Sequence, residues 1–176
     1  MKNLLIFCHS YFPESRVNKI LLELVRKNFD RNTIQIRNLD DMYGSDYLKI
    51  DIQAEQKCLM EAEKIFFQFP VFWFSVPPML KGYIDQVFTR YWAYDEGGDK
   101  LKGKKFQIVA TAGMRHESYQ KDGKMGATID EVLLPLKLTA KLTCMDYQKP
   151  FIINRSRRIL EEEIRAYYKD YLSLFA

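Results

Sequence analysis

Residues 3–25 read NLLIFCHSYFPESRVNKILLELV, and this stretch decides the architecture. Asn3 to Cys8 is a short apolar run of the kind that forms a buried strand. A polar turn follows, and Val17, Ile20, Leu21, Leu24 and Val25 then recur at helical spacing. A buried strand that passes through a polar turn into an amphipathic helix is one βα unit, and its repetition builds a parallel sheet with helices on both faces.

The same alternation continues outward. Thr33 to Leu39 predicts a second strand, rich in β-branched Thr33, Ile34 and Ile36. Asp51 to Ala62 predicts a short, mostly polar helix, and Lys64 to Phe69 a third strand ended by Pro70. Helical spacing returns at Leu80, Tyr83, Ile84, Val87, Phe88 and Tyr91, just after Pro77 and Pro78, which suit a first turn. Phe106 to Ala112 is the fourth strand, and Gly113 to Gly126 a polar loop. Thr128 to Leu134 predicts a helix stopping near Pro135, and the fifth strand lies within Thr139 to Ile153. One last helix carries Ile159, Leu160, Ile164, Tyr167, Tyr168, Tyr171 and Leu172. Five strands and about five helices in alternation predict an α/β doubly wound parallel sheet of flavodoxin type, order 2-1-3-4-5, as a single domain over residues 1–176.

Composition removes several functions. A chain with 47% hydrophobic and 28% charged residues is globular, and it has no apolar run long enough to span a bilayer, so a cytoplasmic protein is expected. Cys8, Cys58 and Cys144 have no CxxC spacing, which speaks against a disulfide framework or a zinc site. The net charge of +4 is spread along the chain apart from Arg155, Arg157 and Arg158, a poor match to nucleic acid and a fair one to an anionic cofactor. There is no GxSxG elbow, and His9 and His116 alone could serve a hydrolytic triad.

In doubly wound sheets ligands bind at the carboxyl ends of the strands, so the loops after the first, third and fourth strands carry the chemistry. The first, His9 to Asn18, opens a helix whose free N–H groups suit an anion, with His9, Ser15 and Asn18 as added donors; alternatively Ser15 simply caps the helix. The second, Pro70-Val71-Phe72-Trp73-Phe74-Ser75-Val76-Pro77, places its aromatics against a flat ligand, a partner subunit or the core. In the third, Thr111-Ala112-Gly113-Met114 brings backbone N–H groups close to a ligand, and Tyr119 is either a proton donor or an exposed loop residue. His116 reads as solvent-facing.

The segment from Phe67 to Tyr83, FQFPVFWFSVPPMLKGY, resembles the FQFP…WF…P…LKG segment of the FMN- or FAD-dependent NAD(P)H:quinone oxidoreductases, a flavodoxin-like family that includes ancillary subunits of potassium-efflux systems. His9-Ser10 followed by Ser15 and Asn18 is similar to that family's flavin-phosphate loop. The resemblance implies that His9, Ser15, Val17 and Asn18 hold the flavin phosphate, and that Pro70, Val71, Phe72, Trp73 and Phe74 frame the isoalloxazine. It further implies backbone contacts from Thr111, Ala112, Gly113 and Met114, which stand where the family has TTGG, and a catalytic Tyr119 assisting hydride transfer. Met125 stands where some members carry a histidine, so a Tyr–His relay does not transfer. The compact members point to FMN rather than FAD, with NADH or NADPH as co-substrate and a quinone or other small electrophile as acceptor; no metal is expected, because two distant histidines with scattered cysteines and carboxylates give no ligand spacing. They also point to a homodimer with Tyr91, Trp92 and Tyr94 near the interface. A transporter's peripheral regulatory subunit and an electron-carrier flavodoxin are the competing functions.

Overall fold

A computed structural model describes residues 2–176. Strands β1 (Asn3–Phe7), β2 (Ile34–Asn38), β3 (Lys64–Pro70) and β4 (Lys105–Thr111) are all parallel, and the order is 2-1-3-4, with a fifth position beyond β4. Two short segments, β5 (Asp146–Tyr147) and β6 (Phe151–Ile153), share that fifth position, each pairing with β4. The helices are α1 (Val17–Asn28), α2 (Leu39–Tyr43), α3 (Ile52–Glu61), α4 (Pro78–Val87), α5 (Ile129–Val132), α6 (Leu134–Leu142), α7 (Glu161–Arg165) and α8 (Tyr168–Ser173).

Successive strand side chains point to opposite faces, and the core divides accordingly. Leu4, Ile6, Phe67, Ile108 and Ala110 pack with Leu59 of α3, Leu80 and Tyr83 of α4 and Leu136 of α6. On the other face Leu5, Phe7, Phe66 and Val109 pack with Leu21, Leu22 and Val25 of α1, Ile164 of α7 and Tyr171 of α8. Gly82 lies where a Cβ would come within 2.4 Å of the Tyr47 Cβ, so the glycine of the LKG triplet is a packing requirement of α4.

Four boundaries differ from the sequence reading. The third strand runs one residue further than Phe69 and ends with Pro70, which pairs with Thr111. Its absent N–H falls on the β1 side, where β1 has already stopped after the Cys8 N–H reaches Gln68 O at 3.1 Å, so no ladder bond is lost. The fifth strand is broken because Phe106 pairs with Tyr147 but Val109 with Phe151, three residues against four, a bulge centred near Pro150. Gln107 Nε2 fills the gap by donating to Lys149 O at 2.8 Å. Pro135 does not stop a helix but sits in the first turn of α6, after Thr128 has capped α5. The single C-terminal helix is two, α7 and α8. No helix among the described residues is long and apolar enough to cross a membrane.

Candidate active site

At the carboxyl edge of the sheet the first loop leads into α1. Burial pushes the His9 imidazole below its usual pKa of 6.5, which keeps it neutral near pH 7. Its Nδ1 accepts the Tyr11 N–H at 3.2 Å, so the ring proton sits on Nε2, and its own backbone N–H donates to Asp40 Oδ2 at 2.6 Å. Among the described residues the N–H groups of Arg16, Val17 and Asn18 have no protein acceptor, and the first turn of α1 carries no acidic side chain. A twelve-residue helix thus ends in open donors and the positive end of its dipole. Ser15 serves the helix start: its Oγ accepts the Lys19 N–H at 3.2 Å, and its hydroxyl proton has no protein acceptor among the described residues.

The Asn18 side chain is a correction. It is 1% exposed and committed inward, donating through Nδ2 to Thr111 Oγ1 at 2.8 Å and lying 3.4 Å from Gln68 Nε2. Only the Asn18 backbone N–H remains for a ligand.

In the second loop Phe72 and Ser75 exchange backbone N–H···O bonds of 3.0 Å around a two-residue turn. Trp73 and Phe74 both take positive φ, 48° and 62°, the pattern of a type I′ turn built without glycine. Such backbone costs an L residue roughly 1–2 kcal/mol each, and it persists where a site over-determines it. The core reading fails here, because Trp73 is 94% and Phe74 46% exposed. Phe72 faces inward, edge-on to His9 at 5.7 Å and to Tyr11 at 5.8 Å between ring centroids, which joins the first two loops. Among the described residues the Trp73 and Phe74 N–H groups have no protein acceptor.

The third loop is tied to both neighbours. Thr111 O accepts the Val71 N–H at 2.8 Å. Ala112 is fully used by the opposite side, donating to Ile153 O and accepting from Ser156 N–H, so its backbone is not available to a ligand. Gly113 and Met114 keep open N–H groups, and a Cβ on Gly113 would meet nothing nearer than Arg157 Cδ and Nε at 3.9 Å. Tyr119 ends the 3₁₀ turn His116–Tyr119 and is 3% exposed, so it is not the loop-surface residue of the alternative reading. Burial alone pushes its phenol above the usual 10, leaving it protonated across neutral pH. His116 is exposed beside Gln120, in line with a solvent-facing role.

Gln68, Asp40 and Tyr171 join this site although sequence reasoning gave them no role. Gln68 had a signal: it is the one polar side chain inside the apolar run IFFQFP, and it is fully buried. No group of metal-ligating side chains occurs among the described residues.

A helix N-terminus, an aromatic turn and a glycine-bearing loop converging where strand order reverses define a doubly wound protein that binds a flat, phosphorylated cofactor. The chain belongs to the family described as flavodoxin-like fold, whose family model matches residues 1–174. It is 36% identical over 164 residues to the uncharacterized NAD(P)H oxidoreductase YdeQ of Bacillus subtilis, covering 93% of this chain and 81% of that one. General stress protein 14 of Treponema denticola, solved in complex with FMN, superposes with a TM-score of 0.90 at 34% identity, over 99% of this chain and 98% of that one. An NADPH-quinone reductase of P. pentosaceus shares the fold with a TM-score of 0.88 at 22% identity, over 100% and 98% of the two chains.

Proposed function

We propose that this chain is an FMN-dependent NAD(P)H oxidoreductase that passes two electrons to a quinone-like acceptor. The observation that carries the reading is the set of open N–H donors at one edge of the sheet: Arg16, Val17 and Asn18 at the head of α1, Trp73 and Phe74 on the strained turn, and Gly113 and Met114 opposite them. This donor set fits FMN. Its dianionic phosphate suits a helix N-terminus whose first turn carries no carboxylate, and the carbonyl and nitrogen acceptors of its ring suit unpartnered backbone N–H groups.

FMN supplies the redox chemistry when bound, taking a hydride equivalent from NAD(P)H and releasing two electrons to the acceptor. The protein's part is position and field. His9 Nε2–H and the Ser15 hydroxyl add donors to the phosphate end. Pro70 to Phe74 form the wall of the ring, with Phe72 held in place by His9 and Tyr11. Tyr119 keeps its proton at neutral pH and lends a hydrogen bond to developing charge, without a basic partner at Met125. Tyr91, 59% exposed, is apolar surface that a second copy of the chain would cover in a homodimer, while Trp92 and Tyr94 are partly buried against the core of this chain. The reaction draws on the reduced nicotinamide of the cytoplasm.

The test is a visible absorption spectrum of the purified protein, reconstituted with FMN, before and after anaerobic addition of NADH or NADPH. Bound flavin peaks that bleach are the expected result. A protein that neither takes up FMN nor consumes reduced nicotinamide overturns the reading.

A further inference from the structure

Four buried side chains form a single file between the C-terminal helix and the cofactor edge. Tyr171 OH donates to Gln68 Oε1 at 2.6 Å. Gln68 Nε2 in turn faces Asn18 O at 3.3 Å and Asn18 Oδ1 at 3.4 Å, and Asn18 Nδ2 donates to Thr111 Oγ1 at 2.8 Å. None of the four is more than 2% exposed. The file has one direction: the Asn18 carbonyl can only accept, so it takes the Gln68 N–H₂, the Gln68 oxygen then faces Tyr171 and accepts its O–H, and Asn18 is left to donate to Thr111. Thr111 Oγ1, with a lone pair already used, keeps its own proton, for which no protein acceptor exists among the described residues.

We propose that Tyr171 is a positioning residue for the FMN site: through Gln68 and Asn18 it orients the Thr111 hydroxyl as a donor and fixes the first turn of α1. The inference rests on the FMN reading above. Two cofactor elements hang on this file. Asn18 carries one of the three open N–H groups at the head of α1, and its carbonyl is gripped by Gln68. Thr111 closes β4 beside Gly113. Without the phenol O–H, the buried Gln68 oxygen has no donor among the described residues, and only the long contacts to Asn18 O and Oδ1 hold the amide in place. A Gln68 amide that shifts to find another donor loosens its hold on Asn18 O and Oδ1, and with it the Asn18 bond that orients the Thr111 hydroxyl. Burial holds the Tyr171 phenol well above its ordinary pKa, so the file keeps its direction throughout the working pH range.

The experiment compares FMN binding by wild type, Tyr171→Phe, Thr111→Val and the double variant, by fluorescence titration and by visible circular dichroism of the bound flavin. The Tyr171 ring packs edge-on against Phe175, at 5.2 Å between centroids, a contact that phenylalanine keeps. Tyr171→Phe is expected to weaken FMN roughly tenfold, the scale of one lost orienting hydrogen bond, and to change the flavin's circular dichroism. Its effect should shrink in the Thr111→Val background to the part carried by the first turn of α1. A merely structural tyrosine would lower the melting temperature of the FMN-free protein and leave both flavin readouts unmoved. Unchanged affinity in Tyr171→Phe, or strictly additive losses in the double variant, overturns the inference while wild type still binds FMN. Wild type that takes up no FMN sinks the flavin reading and this inference with it. If Tyr171→Phe does not fold, Gln68→Met breaks the same file at its middle link and is read in the same titration.

Discussion

The two edges of the parallel sheet are built on opposite rules. At the amino edge, where α3 and α8 end, loose carbonyls are capped. Lys104 Nζ donates to Met60 O and Ala62 O at 2.8 and 2.6 Å, Lys64 Nζ to Leu174 O at 2.6 Å, and Asn3 Nδ2 to Phe175 O at 2.9 Å. At the carboxyl edge the equivalent N–H groups of α1 are left open. The difference is not a general neglect of helix starts, since α3 has a capping Asp51 that accepts the Ala54 N–H at 3.0 Å and α5 has a complete capping box. An open start on α1 alone among these three, next to a turn strained at two consecutive aromatics, marks the edge that spends stability on a ligand.

The largest break in this contrast comes from adding the missing carboxylate. Arg16→Glu, on an exposed residue of that first turn, should weaken FMN roughly 100-fold, since like charges about 4 Å apart cost up to about 4 kcal/mol near a surface. The FMN-free protein should gain a few tenths of a kcal/mol from the helix dipole. Opposite signs in a flavin titration and a urea melt are therefore the expected result, and equal FMN affinity would detach the phosphate from α1. Next comes Tyr119→Phe, which should lower turnover by about 10- to 100-fold, at the lower end of general-acid contributions. FMN affinity should hold, because the lost hydroxyl makes no hydrogen bond within the protein. Unchanged steady-state rates would remove Tyr119 from the mechanism.

The amino edge should respond the other way. Lys104→Met strips a charged cap from α3 and should cost about 1–3 kcal/mol of stability with no change in FMN affinity. A flavin effect from that position would mean the two edges are not independent.

Much of this contrast was legible in the sequence, and unevenly so. Strand order and the three loops followed from the βα alternation, because buried parallel strands need apolar runs and amphipathic helices need their period. What stayed hidden depended on contacts far apart in the chain. Asn18 looks like a phosphate donor until Thr111 and Gln68, 93 and 50 residues away, claim its amide. Pro135 was misread because a proline's effect depends on whether its N–H would have been used, and that is set by where α5 ends. The aromatic turn was visible as residues, while its left-handed backbone was not, since neither Trp73 nor Phe74 advertises positive φ.

That turn offers a sharper test of strain against function. Replacing Trp73 by Asn and Phe74 by Gly installs the pair that type I′ turns favour. The double variant should gain about 1 kcal/mol from the relieved backbone, seen as a higher melting temperature, and lose turnover with the aromatic wall. A variant that gains stability without losing activity would show that the strain serves something other than the flavin.

The smallest effect is a matter of pH, and it separates the FMN-free and FMN-bound carboxyl edge. His9 has a depressed pKa when folded and an ordinary one near 6.5 when unfolded. Between those two values the unfolded chain holds more protons, so stability is full above about 6.5 and is lost as the pH falls toward the folded pKa, with a slope of at most about 1.4 kcal/mol per pH unit. Urea midpoints of the FMN-free protein at pH 5.5 and 7.5 should therefore differ by more in wild type than in His9→Gln. Bound FMN acts against this slope, because a phosphate dianion near Nε2 favours the imidazolium that burial disfavours. The wild-type difference should shrink when FMN is present. If FMN leaves it unchanged, His9 does not stand at the phosphate, and the anion end of the site narrows to Ser15 and the open N–H groups of α1.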